Sequence, residues 1–217
     1  MLSENVKALF ASVEDLCAKY GRRRGEIKIL AATKTVDCER MNVLPSLGIT
    51  DVGENRVQEF REKYGKVANV NWHIIGALQT NKAKYVVGKT AMIHSLDRPS
   101  LADEIDRLSE KCSVISDVLI EVNMGGEQSK SGVSADGLDA LYDYAAEKKN
   151  LRIRGLMSVL PIGADERLYE RLYKLYEKKK GGVFDTLSAG MSGDYPIAIK
   201  HGANLIRPGS VIFGKRN

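Results

Sequence analysis

Residues 27–35, Ile-Lys-Ile-Leu-Ala-Ala-Thr-Lys-Thr, decide how the rest of the chain is interpreted. A short apolar run of strand-forming length ends here at Lys34, which two threonines flank. In α/β proteins the functional side chains collect at the carboxyl ends of the strands. Lys34 lies where such a site is expected, although a lysine taken alone is more often an ordinary surface residue. The remaining segments decide between these two interpretations.

Strand-like and helix-like segments alternate along the whole chain. An amphipathic helix is predicted first, over residues 3–20, with Ser3 as its cap. Eight strands follow, predicted at 27–33, 49–53, 72–75, 91–94, 114–122, 151–156, 183–187 and 204–206. The helices between them are predicted at 37–47, 55–64, 80–87, 99–111, 134–148, 165–180 and 196–201.

This alternation predicts an α/β fold, a single (β/α)8 TIM barrel over residues 1–217 with an extra N-terminal helix. An open dinucleotide-binding sheet is disfavoured, because no G-x-G-x-x-G follows the first strand and the sequence has no P-loop.

Composition limits the classes of function. With 43% apolar and 28% charged residues among 217, the chain has ordinary globular composition. Three dispersed cysteines and three histidines without metal-ligand spacing predict reduced thiols and no metal site. The N-terminal segment is too polar for a signal peptide and no apolar run is long enough to span a membrane, so we expect a cytoplasmic protein. The net charge of +5 suits a small anionic ligand as well as a nucleic acid, and 6% aromatic content disfavours a nucleic-acid partner.

Every predicted strand ends at a residue that a site could use. These residues are Lys34, Glu54 with Asn55, His73 with Gly76, Ser95, Asn123, Met157 with Ser158, Ser188, and Arg207 with Gly209. Structural roles compete with functional ones: Asn55 and Ser95 could cap helices, and His73 could be a core histidine.

The last two strand ends are the most specific. Ser188-Ala-Gly-Met-Ser and Arg207-Pro-Gly-Ser bring small residues and backbone N–H groups to the place where barrels commonly bind phosphate. A phosphate site on one side of the mouth and a lysine on the other would suit a phosphorylated aldehyde held as an imine. Pyridoxal 5′-phosphate is the common cofactor of that description.

Nine short motifs, in the same order along the chain, resemble those of a known protein family. They are Ala-Thr-Lys-Thr at 32–35, Gly-Glu-Asn-Arg-Val-Gln-Glu at 53–59, Trp-His-Ile-Ile-Gly-Ala-Leu-Gln-Thr-Asn-Lys at 72–82, His-Ser-Leu-Asp at 94–97, Val-Asn at 122–123, Lys-Ser-Gly at 130–132, Arg-Gly-Leu-Met at 154–157, Leu-Ser-Ala-Gly-Met-Ser-Gly-Asp at 187–194 and Arg-Pro-Gly-Ser-Val-Ile-Phe-Gly at 207–214. With them the chain resembles the pyridoxal phosphate homeostasis protein family, whose barrel is similar to the N-terminal domain of alanine racemase.

The resemblance implies a role for each candidate residue. It implies that Lys34 forms the Schiff base with the cofactor and that Asn55 contacts the side of the ring hydroxyl. Ser188 and the backbone of Gly209 and Ser210 would hold the phosphate. Arg207 would face the pyridine nitrogen, where a permanent cation disfavours protonation and makes the ring a weak electron sink.

Two departures from the family are noted. The segment 161–182 is shorter than usual in the family, and Ala189 stands where the family often has methionine. Neither changes Lys34 or a residue that the resemblance assigns to the phosphate, Ser188, Gly209 and Ser210.

The resemblance also implies what the protein does. We expect a carrier of pyridoxal 5′-phosphate in vitamin B6 and amino-acid homeostasis without robust catalysis, because the second domain of alanine racemases is missing along with its catalytic tyrosine. We therefore expect a monomer, and PLP-dependent apo-enzymes are possible recipients. The alternative is an amino-acid racemase that uses Lys34 as one base and His73, or a tyrosine of a partner chain, as the other.

Overall fold

Eight parallel strands close into a barrel, as the sequence predicts. The structure, a computed structural model, describes residues 1–126 and 131–214, so Lys130 of the Lys-Ser-Gly motif lies outside the described residues. The barrel strands are β1 (Lys28–Ala32), β2 (Asp51–Glu54), β3 (Asn71–Ile74), β4 (Met92–Leu96), β5 (Ser116–Asn123), β7 (Leu151–Met157), β8 (Thr186–Ser188) and β9 (Leu205–Ile206). They pair in the order β4-β3-β2-β1-β9-β8-β7-β5, and β5 pairs with β4 to close the ring. A two-residue strand, β6 (Val133–Ser134), adds to the end of β5 outside the barrel.

Helices cover the outside of this barrel. They are α1 (Leu2–Lys19), α2 (Cys38–Val43), α3 (Val57–Lys63), α4 (Pro99–Cys112), α5 (Leu138–Ala146), α6 (Glu166–Glu177), α7 (Tyr195–Lys200) and α8 (Ser210–Phe213). Short 3-10 helices lie at Arg24–Glu26, Pro45–Leu47 and Thr80–Tyr85. The main hydrophobic core fills the layer between the helices and the outer faces of the strands. Helix α1 packs against α7 and α8, as expected of an additional N-terminal helix.

Four local predictions are wrong, each for a physical reason. The predicted helix 80–87 is a six-residue 3-10 helix, whose bonds span three residues, as in Val86 N–H to Ala83 O at 3.0 Å. Helix 37–47 ends early because Pro45 has no N–H, and the chain continues as a 3-10 turn. Ser3 lies inside α1 and does not cap it. Ser134 pairs with Asn123 in β6, which delays the start of α5 to Leu138.

The inside of the barrel is small and divided. One apolar cluster there contains Leu30, Ala32, Ile75 and Leu205, and another contains Met92, Leu119 and Met157. Strand alternation places His73, His94 and Ser188 on the same inward face as these residues. The barrel therefore encloses polar groups among its apolar layers.

Close strand packing explains one glycine of the Arg-Gly-Leu-Met motif. A Cβ on Gly155 in β7 would lie 1.7 Å from the carbonyl oxygen of Thr186 in β8, and φ at Gly155 is 152°. Only glycine fits a backbone approach of this kind.

Among residues 1–126 and 131–214, no helix combines the length and the apolar character that a membrane span requires.

Candidate functional site

The six predicted site residues all lie on one arc of the barrel mouth. Lys34 follows β1, Asn55 follows β2, Ser188 ends β8, and Arg207 with Gly209 and Ser210 follows β9. These four strands are consecutive neighbours in the sheet, in the order β2-β1-β9-β8. Because all strands are parallel, their carboxyl ends open at the same mouth.

A buried ion pair fixes the backbone before Lys34. The Lys63 ammonium donates to Glu54 Oε1 at 2.8 Å and to the carbonyl oxygen of Thr33 at 2.9 Å. The Thr33 hydroxyl donates to the same Glu54 oxygen at 2.7 Å. Burial raises the pKa of Glu54 in spite of the hydrogen bonds from Lys63 and Thr33, which lower it. Lys63 and Glu54 therefore fix Thr33, the residue between β1 and Lys34.

The backbone after Lys34 is held from the other side. Thr35 has a φ of 64°, which is rare for a β-branched residue. Its N–H donates to Glu59 Oε2 at 2.7 Å, and Lys63 reaches that oxygen at 3.4 Å. One cluster thus fixes the residues on both sides of Lys34. Its members Glu54 and Glu59 lie in the Gly-Glu-Asn-Arg-Val-Gln-Glu motif, but no spacing in the sequence predicts that they meet Lys63.

The half-buried side chains of Lys34 and Asn55 are available for a ligand. In the described part of the chain neither has a hydrogen bond or ion pair. The alternative role of Asn55 as a helix cap is wrong, since Arg56 precedes the first residue of α3 and no side chain caps it. Gly76 packs directly on the backbone of Asn55, where a Cβ would lie 2.3 Å from its carbonyl oxygen.

Arg207 lies inside the barrel at 1% exposure. It donates to Ser188 Oγ at 2.5 Å and to the carbonyl oxygen of Ser158 at 2.9 Å. Burial lowers its pKa to about 10, against the charges of Asp194 and Glu121, so the guanidinium stays protonated at neutral pH. No carboxylate pairs with it within residues 1–126 and 131–214, which leaves donors for an acceptor from a ligand.

Ser192 lies in space beside Gly209, the glycine that follows β9. Its hydroxyl oxygen accepts from the backbone N–H of Gly209 at 2.9 Å and of Val211 at 3.2 Å. Two N–H groups thus converge on the Ser192 oxygen at the mouth, which leaves the hydroxyl hydrogen of Ser192 free to be donated to an anion. Ser192 belongs to the Leu-Ser-Ala-Gly-Met-Ser motif, but nothing in the sequence predicts its contact with the segment after β9.

Ser188 lies deeper than Ser192. Its side chain is fully buried, and its contacts are to Arg207 and, at 3.4 Å, to His94 Nδ1. Direct contact between Ser188 and a phosphate stays a prediction.

Glu121 is a buried acid on the far side of the barrel. Its side chain belongs to β5, is 8% exposed, and has one oxygen without a partner among the described residues. Burial and the nearby charge of Asp97 raise its pKa to about 7, although Arg207 opposes the shift.

His73, a possible core histidine, is buried and engaged at both ring nitrogens. Nε2 lies 3.0 Å from Asp51 Oδ1, and Nδ1 lies 3.0 Å from His94 Nε2. The described residues hold no group of histidine, cysteine and acidic side chains arranged to bind a metal ion.

Comparison with known proteins gives consistent matches over nearly the whole chain. A sequence family described as the alanine racemase N-terminal domain matches residues 6–217. A protein of Aquifex aeolicus named pyridoxal phosphate homeostasis protein is 40% identical over 98% of this chain and 97% of its own. A protein of Vibrio cholerae with the same name is 36% identical over 100% of this chain and 97% of its own.

Among solved structures, PipY of Synechococcus elongatus PCC7942 with PLP bound is similar to this chain. The TM-score is 0.84 at 26% identity, and the match covers 99% of this chain and 100% of PipY.

Proposed function

The chain belongs to the pyridoxal phosphate homeostasis protein family, and from that premise we propose that it binds pyridoxal 5′-phosphate at Lys34 and takes part in vitamin B6 and amino-acid homeostasis. The observation that carries the proposal is the mouth of the barrel. A lysine with an unpartnered side chain, a buried arginine without a carboxylate partner and a serine hydroxyl held by two backbone N–H groups all lie on one arc there, within the described residues.

These groups fit the chemistry of the cofactor. Pyridoxal 5′-phosphate carries an aldehyde that condenses with a lysine amine, with loss of water. Lys34 supplies such an amine, and Asn55 supplies an amide near it that has no other partner in the described residues. The Ser192 hydroxyl, whose oxygen the N–H groups of Gly209 and Val211 hold in place, supplies a donor for a phosphate, with the backbone of Ser210 beside it.

Each protein group then has a defined task. The cluster of Lys63, Glu54 and Glu59 holds the backbone on both sides of Lys34, which fixes the point from which its side chain extends. Arg207 places a cation at the mouth, and its pKa of about 10 keeps it charged at neutral pH. Ser188 holds Arg207 from within the barrel, and we propose that its part in binding the cofactor is made through that arginine.

We propose a carrier and not a racemase. Inversion at carbon needs an acid or base on each face of the substrate. His73, the second base that the sequence offered, is buried and occupied at both nitrogens by Asp51 and His94, which supports the carrier. The cytoplasmic location, the monomeric state and delivery to PLP-dependent apo-enzymes stay predictions.

Titration of the apo-protein with pyridoxal 5′-phosphate, followed by visible absorption, tests the proposal. We expect the wild type to show a saturable new band, and Lys34→Ala to lose it because the amine that bonds to the aldehyde is gone. Lys28→Ala is the matched control, since Lys28 is exposed at the opposite end of the same strand, and it should behave as the wild type.

Two results would contradict the proposal: a wild type that binds no cofactor, or a Lys34→Ala variant with an unchanged band. Incubation with each enantiomer of alanine in deuterated water tests the racemase. Formation of the opposite enantiomer by the wild type would overturn the carrier assignment, and Glu121→Gln would then show whether that carboxyl is the second base.

A further inference from the structure

A continuous series of hydrogen bonds crosses the barrel and ends at Arg207. Arg207 donates to Ser188 Oγ at 2.5 Å, and Ser188 Oγ lies 3.4 Å from His94 Nδ1. His94 Nε2 lies 3.0 Å from His73 Nδ1, and His73 Nε2 lies 3.0 Å from Asp51 Oδ1. We refer to these five residues as the histidine chain.

The histidine chain links opposite ends of the barrel. Ser188 on β8 and His94 on β4 belong to strands that are not neighbours, so their contact passes through the interior. Asp51 is the first residue of β2, whereas Arg207 lies at the carboxyl ends of the strands. At about 3.3 Å per residue, Asp51 is about 10 Å below the end of its own strand. Asp51 is therefore remote from any ligand at the mouth.

Burial makes each bond of the histidine chain consequential. His94 and Ser188 are fully buried, Arg207 is 1% exposed and His73 is 4% exposed. Only the Asp51 side chain, 31% exposed, reaches water. Because buried polar groups without partners are costly, these residues are held to one arrangement.

That arrangement has one consistent assignment of protons. Arg207 can only donate, so the buried Ser188 hydroxyl directs its hydrogen to its other partner, His94 Nδ1. His94 then donates from Nε2 to His73 Nδ1, and His73 donates from Nε2 to Asp51 Oδ1. Burial and the charge of Arg207 hold the pKa of His94 well below its ordinary value, which agrees with a single proton on its ring.

The consequence falls on Ser188. Its hydrogen is directed to His94, so its oxygen lone pairs face Arg207. We propose that His94 and His73, together with Asp51, are positioning residues for Arg207: through Ser188 they fix the guanidinium at the mouth of the barrel. This inference rests on the proposed function, because it is Arg207 toward the cofactor that they position.

The proton assignment is tested on the apo-protein, without any cofactor. Nitrogen-15 labelling of histidine with two-bond proton–nitrogen correlation reports the protonated nitrogen of each ring, and the chain has three histidines to assign. We expect the ring proton of both His73 and His94 to lie on Nε2, as the order of the hydrogen bonds requires. A His94 protonated at Nδ1, or at both nitrogens, would overturn the inference, because Ser188 would then receive two donors.

The positioning role is tested by titration with pyridoxal 5′-phosphate. His94→Leu keeps an apolar volume but removes both hydrogen bonds, and we expect about tenfold weaker binding with a shifted absorption band, the size typical of lost outer contacts. His94→Gln can accept from Ser188 and donate to His73, so it should bind within about twofold of the wild type. His201→Gln is the control, because His201 bonds to Glu166 at the surface and lies outside the histidine chain.

A variant of Asp51, at the remote end of the histidine chain, and a double variant complete the test of the positioning role. Asp51→Leu should shift the same absorption band, and adding Ser188→Ala to His94→Leu should weaken binding no further than His94→Leu alone. If the wild type binds and His94→Leu matches it, or if Gln and Leu lose equally, the inference fails. If the wild type does not bind, the proposed function fails, while the nitrogen-15 measurement still decides the histidine chain.

Discussion

Ser192 and Ser188 lie four residues apart in one motif and have different surroundings. Ser192 lies beside the backbone N–H groups of Gly209 and Val211, whereas Ser188 lies buried under Arg207. A phosphate bound at this place would receive a hydrogen bond from the Ser192 hydroxyl, whose oxygen those two N–H groups hold. Ser192 is therefore the serine that we expect to act directly on the phosphate.

Replacement of Ser192 tests this assignment. Ser192→Ala removes one hydrogen bond to a charged group, so we expect affinity for pyridoxal 5′-phosphate to fall about tenfold or more. Pyridoxal, which lacks the phosphate, is the matched ligand, and its affinity should not change. Equal losses for the two ligands in equilibrium titrations would contradict a phosphate contact.

Glu121 predicts a pH dependence of stability. An ordinary glutamate titrates near 4.5, and the pKa of Glu121 is raised to about 7. Between these pH values the folded protein keeps a proton that the unfolded chain has lost. Stability therefore falls as the pH rises from 4.5 to 7, and the penalty remains in full above 7, at about 3 kcal/mol.

Glu121→Gln should remove that penalty. In urea unfolding of the apo-protein, we expect the variant to be more stable than the wild type at pH 8 by about 3 kcal/mol and equal to it near pH 4. Glu110→Gln, at an exposed position on α4, serves as the control. A difference that does not depend on pH would show that burial of the Glu121 charge is not its cause.

At the scale of elements, the segment between β1 and α2 depends on α3. Lys63 is the last residue of α3, and it reaches the end of β1 through Thr33 and the end of β2 through Glu54. The side chain of Glu54 is fully buried and that of Lys63 is 10% exposed. The position of Lys34 is therefore fixed by neighbouring elements as much as by its own strand.

Lys63→Met tests this dependence. The change leaves Glu54 buried without a cation, so we expect a loss of stability of about 3 kcal/mol or more and weaker binding of pyridoxal 5′-phosphate. Lys66→Met, at an exposed lysine three residues away, should change neither.

A second variant separates charge from packing. Adding Glu54→Gln to Lys63→Met removes the buried charge and should restore part of the stability, as chemical unfolding would show. A Lys63→Met protein as stable as the wild type would contradict the role given to this ion pair.

At the scale of the whole molecule, the barrel was predictable because its signal is repeated eight times. Each strand contributes an apolar run, and errors at single ends, such as Ser3 or Pro45, do not change the count. The position of Lys34 and Arg207 at the same mouth was predictable because the carboxyl ends of parallel strands share one end of the barrel. That residues 1–217 form one domain stays a prediction.

Contacts inside the barrel were not predictable in the same way. His94 and Ser188 are 94 residues apart in sequence, and they meet only because the sheet closes. The bond between Ser192 and Gly209 likewise depends on how two loops cross at the mouth. Hydrophobic periodicity reports which side chains are buried, but it does not report which polar partner each one meets.

The central claim is that Lys34 bonds covalently to pyridoxal 5′-phosphate. The most direct measurement is borohydride reduction of the wild-type protein mixed with one equivalent of the cofactor, followed by proteolysis and mass spectrometry of the peptides. The account predicts a reduced adduct on the peptide that contains Lys34 and no comparable label on other lysines. Label spread over surface lysines, or a Lys34 peptide without label, would contradict it.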